Sequence, residues 1–334
     1  MRTAARSSWA SFVIFSLLLL LLLQSDRARG QLDLDLEAPL TQHQHDNADT
    51  DSCWVFTHMN KSGGTTVKRL LRPSLDKNGI SYGLYDSPQW KMGLDFLQNN
   101  MLKRGHKLIW GGYTEGMRPY GMFKCKWFTI FRHPISRLVS AYFYCKTNGH
   151  DALCGNEVVD ANTVDLMTFA RHWSNFGLRQ FALAYVQPDA VLTSYYIAQD
   201  LDHPGWFLLK RHLDGPNHPG GTRVPDVAMR SLLEPAEKML GEQYAAIGII
   251  EEWENSLELF NVALGFPNFN WTTEFQALGR QNDLDTETSR VEADVVMMAQ
   301  TDTEIKRFLH QDILLYEQAL AVHRRQLKQY RIVQ

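Results

Sequence analysis

A short segment between two apolar runs contains the residue types that bind a phosphate group. It combines one lysine, two glycines and three hydroxyl side chains: Lys61, Ser62, Gly63, Gly64, Thr65 and Thr66. Glycines let the backbone approach an anion, and the N–H groups at the start of a following helix point at it. In a Walker A loop the lysine follows the glycines, whereas here it precedes them. The segment therefore predicts a phosphate-binding loop and disfavours a nucleotide kinase; the alternative is a glycine-rich turn with a solvated lysine.

A second segment, residues 131–142, contains the cationic and hydroxyl groups that a second phosphate would need. Arg132 directly follows an apolar run, and Ser140 lies about two helical turns further along. Both side chains could face one phosphate group, with Arg132 as a forked donor and Ser140 as a hydroxyl donor. Arg137 is left open between a surface helix residue and a ligand contact.

The segments around these motifs alternate between strands and helices. Four runs of apolar, β-branched and aromatic residues predict strands, at 54–58, 107–110, 127–131 and 245–250. Helical spacing follows the first, third and fourth runs, and a single long amphipathic helix is predicted from Thr301 to Gln329. This alternation predicts an α/β, P-loop-like three-layer fold, in which helices flank a central and mainly parallel sheet.

In the two phosphate motifs the chain resembles the sulfotransferases that use 3′-phosphoadenosine 5′-phosphosulfate (PAPS), particularly the Golgi enzymes that modify carbohydrates. Their 5′-phosphosulfate loop commonly reads His-x-Pro-Lys-Thr-Gly-Gly-Thr-Thr, and residues 58–66 read His-Met-Asn-Lys-Ser-Gly-Gly-Thr-Thr. Their 3′-phosphate motif reads Arg-Asp-Pro-x-x-Arg-x-x-Ser-x-Tyr, and residues 132–142 match it except at His133. The stretches 248–253 and 312–317 also look like the family, and the resemblance covers residues 53–325.

This resemblance implies a role for each matching residue. Lys61 would contact the leaving phosphate oxygen and the sulfuryl group, residues 62–66 would hold the 5′-phosphate, and Arg132 with Ser140 would hold the 3′-phosphate. The implied reaction is an in-line sulfuryl transfer to a hydroxyl of a glycan, with a protein tyrosine as the alternative acceptor. Positioning and charge neutralisation would supply most of the catalysis, and the scheme requires no metal. Residues 279–282 are a loose match to the loop that closes over the adenosine.

The acceptor hydroxyl needs a base that takes its proton. Many carbohydrate-directed relatives have a Gly-His pair after the middle strand, whereas this chain has Gly111-Gly112. Glu115 is the first substitute, by analogy with the glutamate of tyrosine-directed relatives, and it could instead be a solvated loop acid. His58 and His106 are the alternatives.

The N-terminus predicts entry into the secretory pathway. Arg2 and Arg6 precede an apolar run from Trp9 to Leu23, which favours a signal anchor within residues 1–30 over a cleaved signal peptide. Either arrangement places the body in the lumen, so a single-pass type II Golgi membrane protein is expected, with secretion as the alternative. An acidic, polar stem (31–52) and a sulfotransferase domain (53–330) would follow. Asn270-Trp271-Thr272 predicts a glycosylation site there.

Charge excludes one class of partner. Residues 1–30 carry a net charge of +3, so the rest of this chain of net charge −3 carries −6. Proteins that bind nucleic acid need a basic face to displace counterions from phosphates, so nucleic acid is not expected as a partner. The expected partners are a carbohydrate or glycoprotein acceptor and, through the N-terminal segment, the membrane.

The four cysteines suit an oxidising compartment. Cys145 and Cys154 enclose a short polar loop, and Cys53 and Cys125 both lie just ahead of strand-like runs. These positions favour the pairs 53–125 and 145–154 among the three possible connectivities, with free thiols as the alternative.

If the catalytic base has been lost, the same chain would be a lumenal donor-binding or scaffolding protein.

Overall fold

The structure is a computed structural model that describes residues 53–84, 105–112, 114–115, 125–148, 154, 160–182, 226–278 and 286–333. Three predicted segments lie outside the described residues: the signal anchor or signal peptide at 1–30, the stem at 31–52 and the loop at 279–282. Among the described residues, no helix is both long enough and apolar enough to cross a membrane.

A parallel sheet forms the centre of the fold. Its five strands are β1 (Trp54–Thr57), β2 (Tyr82–Leu84), β3 (Leu108–Gly111), β4 (Lys126–Phe131) and β5 (Tyr244–Ile249). They lie in the order β2-β3-β1-β4-β5, and every neighbouring pair is parallel. The predicted three-layer α/β architecture with a parallel sheet is confirmed. The sequence predicts four of these strands and misses β2, an edge strand of three residues with a glycine at its centre, too short to show a pattern.

Helices connect and cover the strands. The ten α-helices among the described residues are α1 (Gly64–Lys77), α2 (Pro134–Thr147), α3 (Leu166–His172), α4 (Phe176–Ala182), α5 (Asp226–Gln243), α6 (Trp253–Leu264), α7 (Trp271–Leu278), α8 (Thr286–Thr301), α9 (Thr303–Phe308) and α10 (His310–Gln329). A 3₁₀ turn, Ile250–Glu252, joins β5 to α6.

The strands are buried on both faces, which explains their nearly continuous apolar sequences. On one face, Trp54, Phe56 and Phe128 pack against apolar side chains of α1, α6 and α7. On the other face, Val55 and Ile247 pack against side chains of α4, α5 and α10. Alternate residues of β1 therefore serve opposite layers, as the period of a strand requires.

The predicted single helix over 301–329 is wrong, because the structure contains two helices with a break at Leu309. Asp302 caps the first, accepting hydrogen bonds from the N–H groups of Glu304 and Ile305. The two helices serve different cores. Phe308 and Leu309 pack in a cluster with apolar residues of α2 and α3, whereas Leu315, Ala319 and Val322 of α10 pack against the sheet.

Both predicted disulfides are present. Cys53 pairs with Cys125 at the amino ends of β1 and β4, and Cys145 at the end of α2 pairs with Cys154. The structure has no free cysteine among its described residues. Two disulfides fit an oxidising lumenal or extracellular compartment.

Candidate functional site

The order of the strands brings the two predicted phosphate motifs together. From β1 the chain builds one side of the sheet with β2 and β3, then crosses to the other side for β4 and β5. In open α/β sheets, ligands bind at the carboxyl edge where the strand order reverses. The loops after β1 and β4 leave the sheet at this point, and the Nη1 atom of Arg132 lies 3.4 Å from the carbonyl oxygen of Lys61, to which it donates.

The loop between β1 and α1 has an unusual backbone. Lys61 and Gly63 both adopt the left-handed conformation, with φ of 62° and 78°. Gly63 is the N-cap of α1, so the N–H groups of the first turn of α1, which includes Thr65 and Thr66, emerge directly after it. A non-glycine side chain at residue 63 would be strained, and it would lie 3.1 Å from Ile250 Cδ1.

Gly64 has no room for a side chain because the His58 imidazole fills the space. A Cβ atom on Gly64 would lie 1.8 Å from His58 Cδ2. His58 is held in turn by its own backbone, whose N–H donates to the Gly111 carbonyl oxygen over 3.0 Å. His58 therefore shapes the loop from the end of β1, and its tight packing explains why glycine is needed at residue 64.

Ser62 contributes a buried polar group inside the loop. Only 1% of its surface is exposed. Within the described residues its hydroxyl has no hydrogen-bonding partner, although its N–H donates to the Met59 carbonyl oxygen. Buried hydroxyls nearly always have a partner, so an unsatisfied one beside a helix N-terminus fits a loop that receives a polar ligand.

The Lys61 side chain lies over an aromatic ring. Its Nζ atom is 3.9 Å from the ring centroid of Tyr144, which α2 contributes. A cation above an aromatic face is attracted by the ring quadrupole. Tyr144 is therefore a neighbour of the predicted site that the sequence analysis missed, and the helical spacing of α2 was the available signal.

The Arg132 guanidinium contacts a carboxylate from a distant helix. Its Nη2 atom lies 3.4 Å from Oε1 of Glu292 on α8. Ser140 is half-buried on α2, and within the described residues no hydrogen bond joins it to Arg132. Glu292 is the second residue missed by the sequence analysis, since no motif marks it.

The interpretation of Arg137 as a surface helix residue is wrong, and a ligand contact stays a prediction. It is buried, with 3% of its surface exposed, and its guanidinium forms an ion pair with Asp312 of α10. The Asp312 carboxylate also accepts hydrogen bonds from the N–H groups of Gly177 and Leu178 in the first turn of α4, over 3.1 and 2.7 Å. Arg137 therefore joins three helices and does not lie on the surface.

Glu115 is fully buried, so its interpretation as a solvated loop acid is wrong. Its carboxylate accepts hydrogen bonds from the hydroxyls of Thr57, over 2.7 Å, and Tyr244. Thr57 is the last residue of β1, so the carboxylate lies near the carboxyl edge of the sheet. A catalytic role for Glu115 stays a prediction.

His106 lies at the wrong edge of the sheet for a base. It precedes the amino end of β3, where its Nδ1 atom is 2.6 Å from the hydroxyl of Ser81. The loops with Lys61 and Arg132 leave the opposite, carboxyl edge. The proposal of His106 as an alternative base is therefore wrong.

The two weaker stretches of the resemblance, 248–253 and 312–317, also border the site. Glu251 accepts a hydrogen bond from the His133 N–H, over 2.8 Å, and another from the Tyr316 hydroxyl, over 3.2 Å. The His133 and Tyr316 rings meet edge to face. Burial lowers the pKa of the His133 imidazole below its usual value, against the opposing effect of the nearby Glu251 carboxylate. The side chain at residue 133 is therefore a neutral imidazole, at the position where the sulfotransferase motif has an aspartate.

The described part of the chain contains no group of three or more histidine, cysteine, aspartate or glutamate side chains that could hold a metal ion. Comparison of the sequence with protein-family models and with curated proteins finds no match. The assignment of a function therefore rests on the residues and their geometry.

Proposed function

We propose that this chain transfers a sulfuryl group from PAPS to a hydroxyl of a glycan. The observation that carries the proposal is the contact of the two phosphate motifs, where Arg132 donates to the Lys61 carbonyl oxygen at the carboxyl edge of the sheet. Two anion-binding segments in contact suit a donor with two separated phosphate groups better than they suit a nucleotide with one phosphate chain.

The residues present fit such a donor. The left-handed backbone at Gly63, the N-terminus of α1 and the unsatisfied Ser62 hydroxyl together provide donors for a 5′-phosphate. Lys61 adds a full positive charge beside them. Arg132 would bind the 3′-phosphate, and Ser140, on the helix that follows, would add a hydroxyl donor.

PAPS would supply the activated sulfuryl group, and the residues of this chain would position it and neutralise charge. Lys61 would stabilise the negative charge that develops on the phosphate oxygen as the bond to sulfur breaks. An acceptor hydroxyl would attack in line with that bond, so its proton must pass to a base. Glu115 is our candidate, and because its carboxylate is enclosed, the acceptor would reach it only if neighbouring residues move apart.

A second candidate is a lumenal protein that binds PAPS, or the product 3′-phosphoadenosine 5′-phosphate (PAP), without turnover. The burial of Glu115 and the absence of a histidine after Gly112 both favour it. In both candidates we propose the Golgi lumen as the compartment, with residues 1–30 as a type II membrane anchor. The two disulfides support an oxidising compartment. For the enzyme, the proposed acceptor is a glycoprotein.

The test is transfer of labelled sulfate from PAPS to a panel of glycan and tyrosine-peptide acceptors by the full chain. Transfer should be lost in Lys61→Ala and retained in Lys77→Ala, a matched change at the exposed far end of α1, the helix that follows the Lys61 loop. Transfer that survives Lys61→Ala would overturn the site assignment. Binding of PAP without transfer to any acceptor would favour the second candidate, and a folded protein that does not bind PAP would contradict both.

A further inference from the structure

Glu292 places a negative charge inside the site proposed to bind a phosphate. Its side chain is 10% exposed, and its Oε1 atom lies 3.4 Å from Nη2 of Arg132. Within the described residues, Glu292 has no hydrogen-bonding partner other than Arg132. A carboxylate in this position satisfies the arginine in the same way that a phosphate oxygen would.

The contact between Arg132 and Glu292 is a loose one. One guanidinium nitrogen donates to Glu292 and another to the Lys61 carbonyl oxygen, and both distances are 3.4 Å. Charge-assisted hydrogen bonds are commonly about 2.7–2.9 Å long, and arginine binds phosphates best through two parallel bonds. Arg132 also keeps 24% of its side chain exposed, so an anion from solvent can reach it.

Arg137, the other arginine of the motif, has a more firmly held partner. The partner of Arg137, Asp312, is held by two backbone N–H groups in addition to the guanidinium. Both side chains of that pair are almost fully buried, at 4% and 2% exposure. Asp312 therefore holds Arg137 firmly in place, whereas Glu292 makes only a weak contact with Arg132.

The position of the Glu292 carboxylate is set by the packing of α8. One turn further along this helix, Val295 and Val296 pack against the apolar cluster around α2, and Ala299 is buried within it. Because α2 begins two residues after Arg132, α8 holds Glu292 against the same element that positions the arginine.

We propose that Glu292 is a built-in counter-anion that competes with the 3′-phosphate of the donor for Arg132, and so sets donor and product affinity. This inference rests on the proposed function. A phosphate that binds Arg132 either displaces the carboxylate or lies beside its negative charge, and in both cases Glu292 weakens binding. Donor and product carry the same 3′-phosphate, so the carboxylate weakens both and favours product release.

The experiment measures the Kd of PAP for the full chain by titration calorimetry. Glu292→Gln keeps the size of the side chain and removes its charge, and we expect it to bind PAP roughly three- to tenfold more tightly, equivalent to about 0.6–1.4 kcal/mol. The gain should vanish when Arg132→Gln is compared with the double variant. Glu304→Gln is the matched control, since it neutralises an acid paired with Arg307 elsewhere on the surface.

Each outcome of this experiment decides the question. Unchanged or weaker binding in Glu292→Gln would show that the carboxylate orients Arg132 for the ligand, and would overturn the inference while the proposed function stands. A gain of equal size in Glu304→Gln would also overturn it, because only net charge would matter. If neither the wild type nor Glu292→Gln binds PAP, the proposed function fails and the inference fails with it. Should Glu292→Gln not fold, Glu292→Asp, which draws the charge back from Arg132, is expected to tighten binding by a smaller factor.

Discussion

Arg137 and Asp312 form a buried ion pair that ties α2 to α10, and the same carboxylate caps the first turn of α4. Removing one member of a buried pair leaves the other charge uncompensated, which commonly costs about 3–5 kcal/mol. We expect Arg137→Met to lower the free energy of unfolding by that amount, measured by urea denaturation.

The control for this prediction is Arg307→Met, which removes an exposed arginine from its pair with Glu304. Exposed pairs contribute at most about 1 kcal/mol, so the control should unfold almost as the wild type does. Equal losses in the two variants would show that the Arg137 pair is not a structural element.

The close approach of His58 to Gly64 predicts that Gly64→Ala lowers stability and that adding His58→Ala restores part of it. In Gly64→Ala the new methyl group would collide with the imidazole, and overpacking of this kind commonly costs about 1–3 kcal/mol. Adding His58→Ala removes the ring and should recover part of the lost stability, measured by thermal and urea denaturation.

Gly241→Ala is the matched control for this pair of variants. It lies within α5, where a Cβ would meet its nearest neighbour, Arg325, at an ordinary 3.7 Å. Alanine is favoured over glycine there by up to about 1 kcal/mol. If the double variant were no more stable than Gly64→Ala alone, steric exclusion by His58 would not be the reason for glycine at residue 64.

The two disulfides should differ in their contribution to stability because they close loops of different length. The Cys53–Cys125 bond spans 72 residues and the Cys145–Cys154 bond spans 9. On the loop-entropy model these spans correspond to about 4 and about 3 kcal/mol. We expect the Cys53→Ser/Cys125→Ser variant to lose more stability than the Cys145→Ser/Cys154→Ser variant, and the reverse order would contradict the model.

His323 should make the fold sensitive to acid. It lies on α10, fully buried against β5, with Nδ1 2.7 Å from the Ile247 carbonyl oxygen. Burial lowers the pKa of its imidazole below the usual 6.5. The unfolded chain then takes up a proton more readily than the folded chain. The stability is complete above about pH 6.5 and is lost as the pH falls toward the lower folded pKa.

We expect the free energy of unfolding to fall as the pH is lowered below about 6.5, the usual imidazole pKa. His323→Asn keeps a donor near the Ile247 carbonyl and cannot be protonated, so it should show a smaller fall. The lowered pKa of His133 acts in the same direction, so some acid sensitivity remains. An identical pH profile in the variant would exclude His323 as a cause.

Local sequence predicts the parts of the site that lie within one strand, loop and helix. The loop from Lys61 to Thr66 follows β1 directly, and Arg132 follows β4 directly, so their placement depends only on recognising parallel strands. The partners of these residues come from far along the chain. Glu292 is 160 residues from Arg132, and Asp312 is 175 residues from Arg137.

Glu115 shows the same limit for a residue that the sequence analysis did select. Its burial depends on hydroxyls contributed by Thr57 and Tyr244, 58 and 129 residues away. Local polarity near two glycines is typical of an exposed loop. The carboxylate is instead enclosed by the hydroxyls of Thr57 at the end of β1 and Tyr244 at the start of β5, which also bond each other. Tertiary packing, which the local pattern does not contain, decides such cases.

The Cys53–Cys125 bond lies one strand length from the loops that carry Lys61 and Arg132. It clamps β1 to β4 at their amino ends, and the parallel register of Trp54 with Lys126 transmits that alignment upward to the two loops. Protein produced in a reducing host would hold the two strands by hydrogen bonds and packing alone. We therefore expect assays of the two motifs to be most consistent when this cysteine pair is kept oxidised.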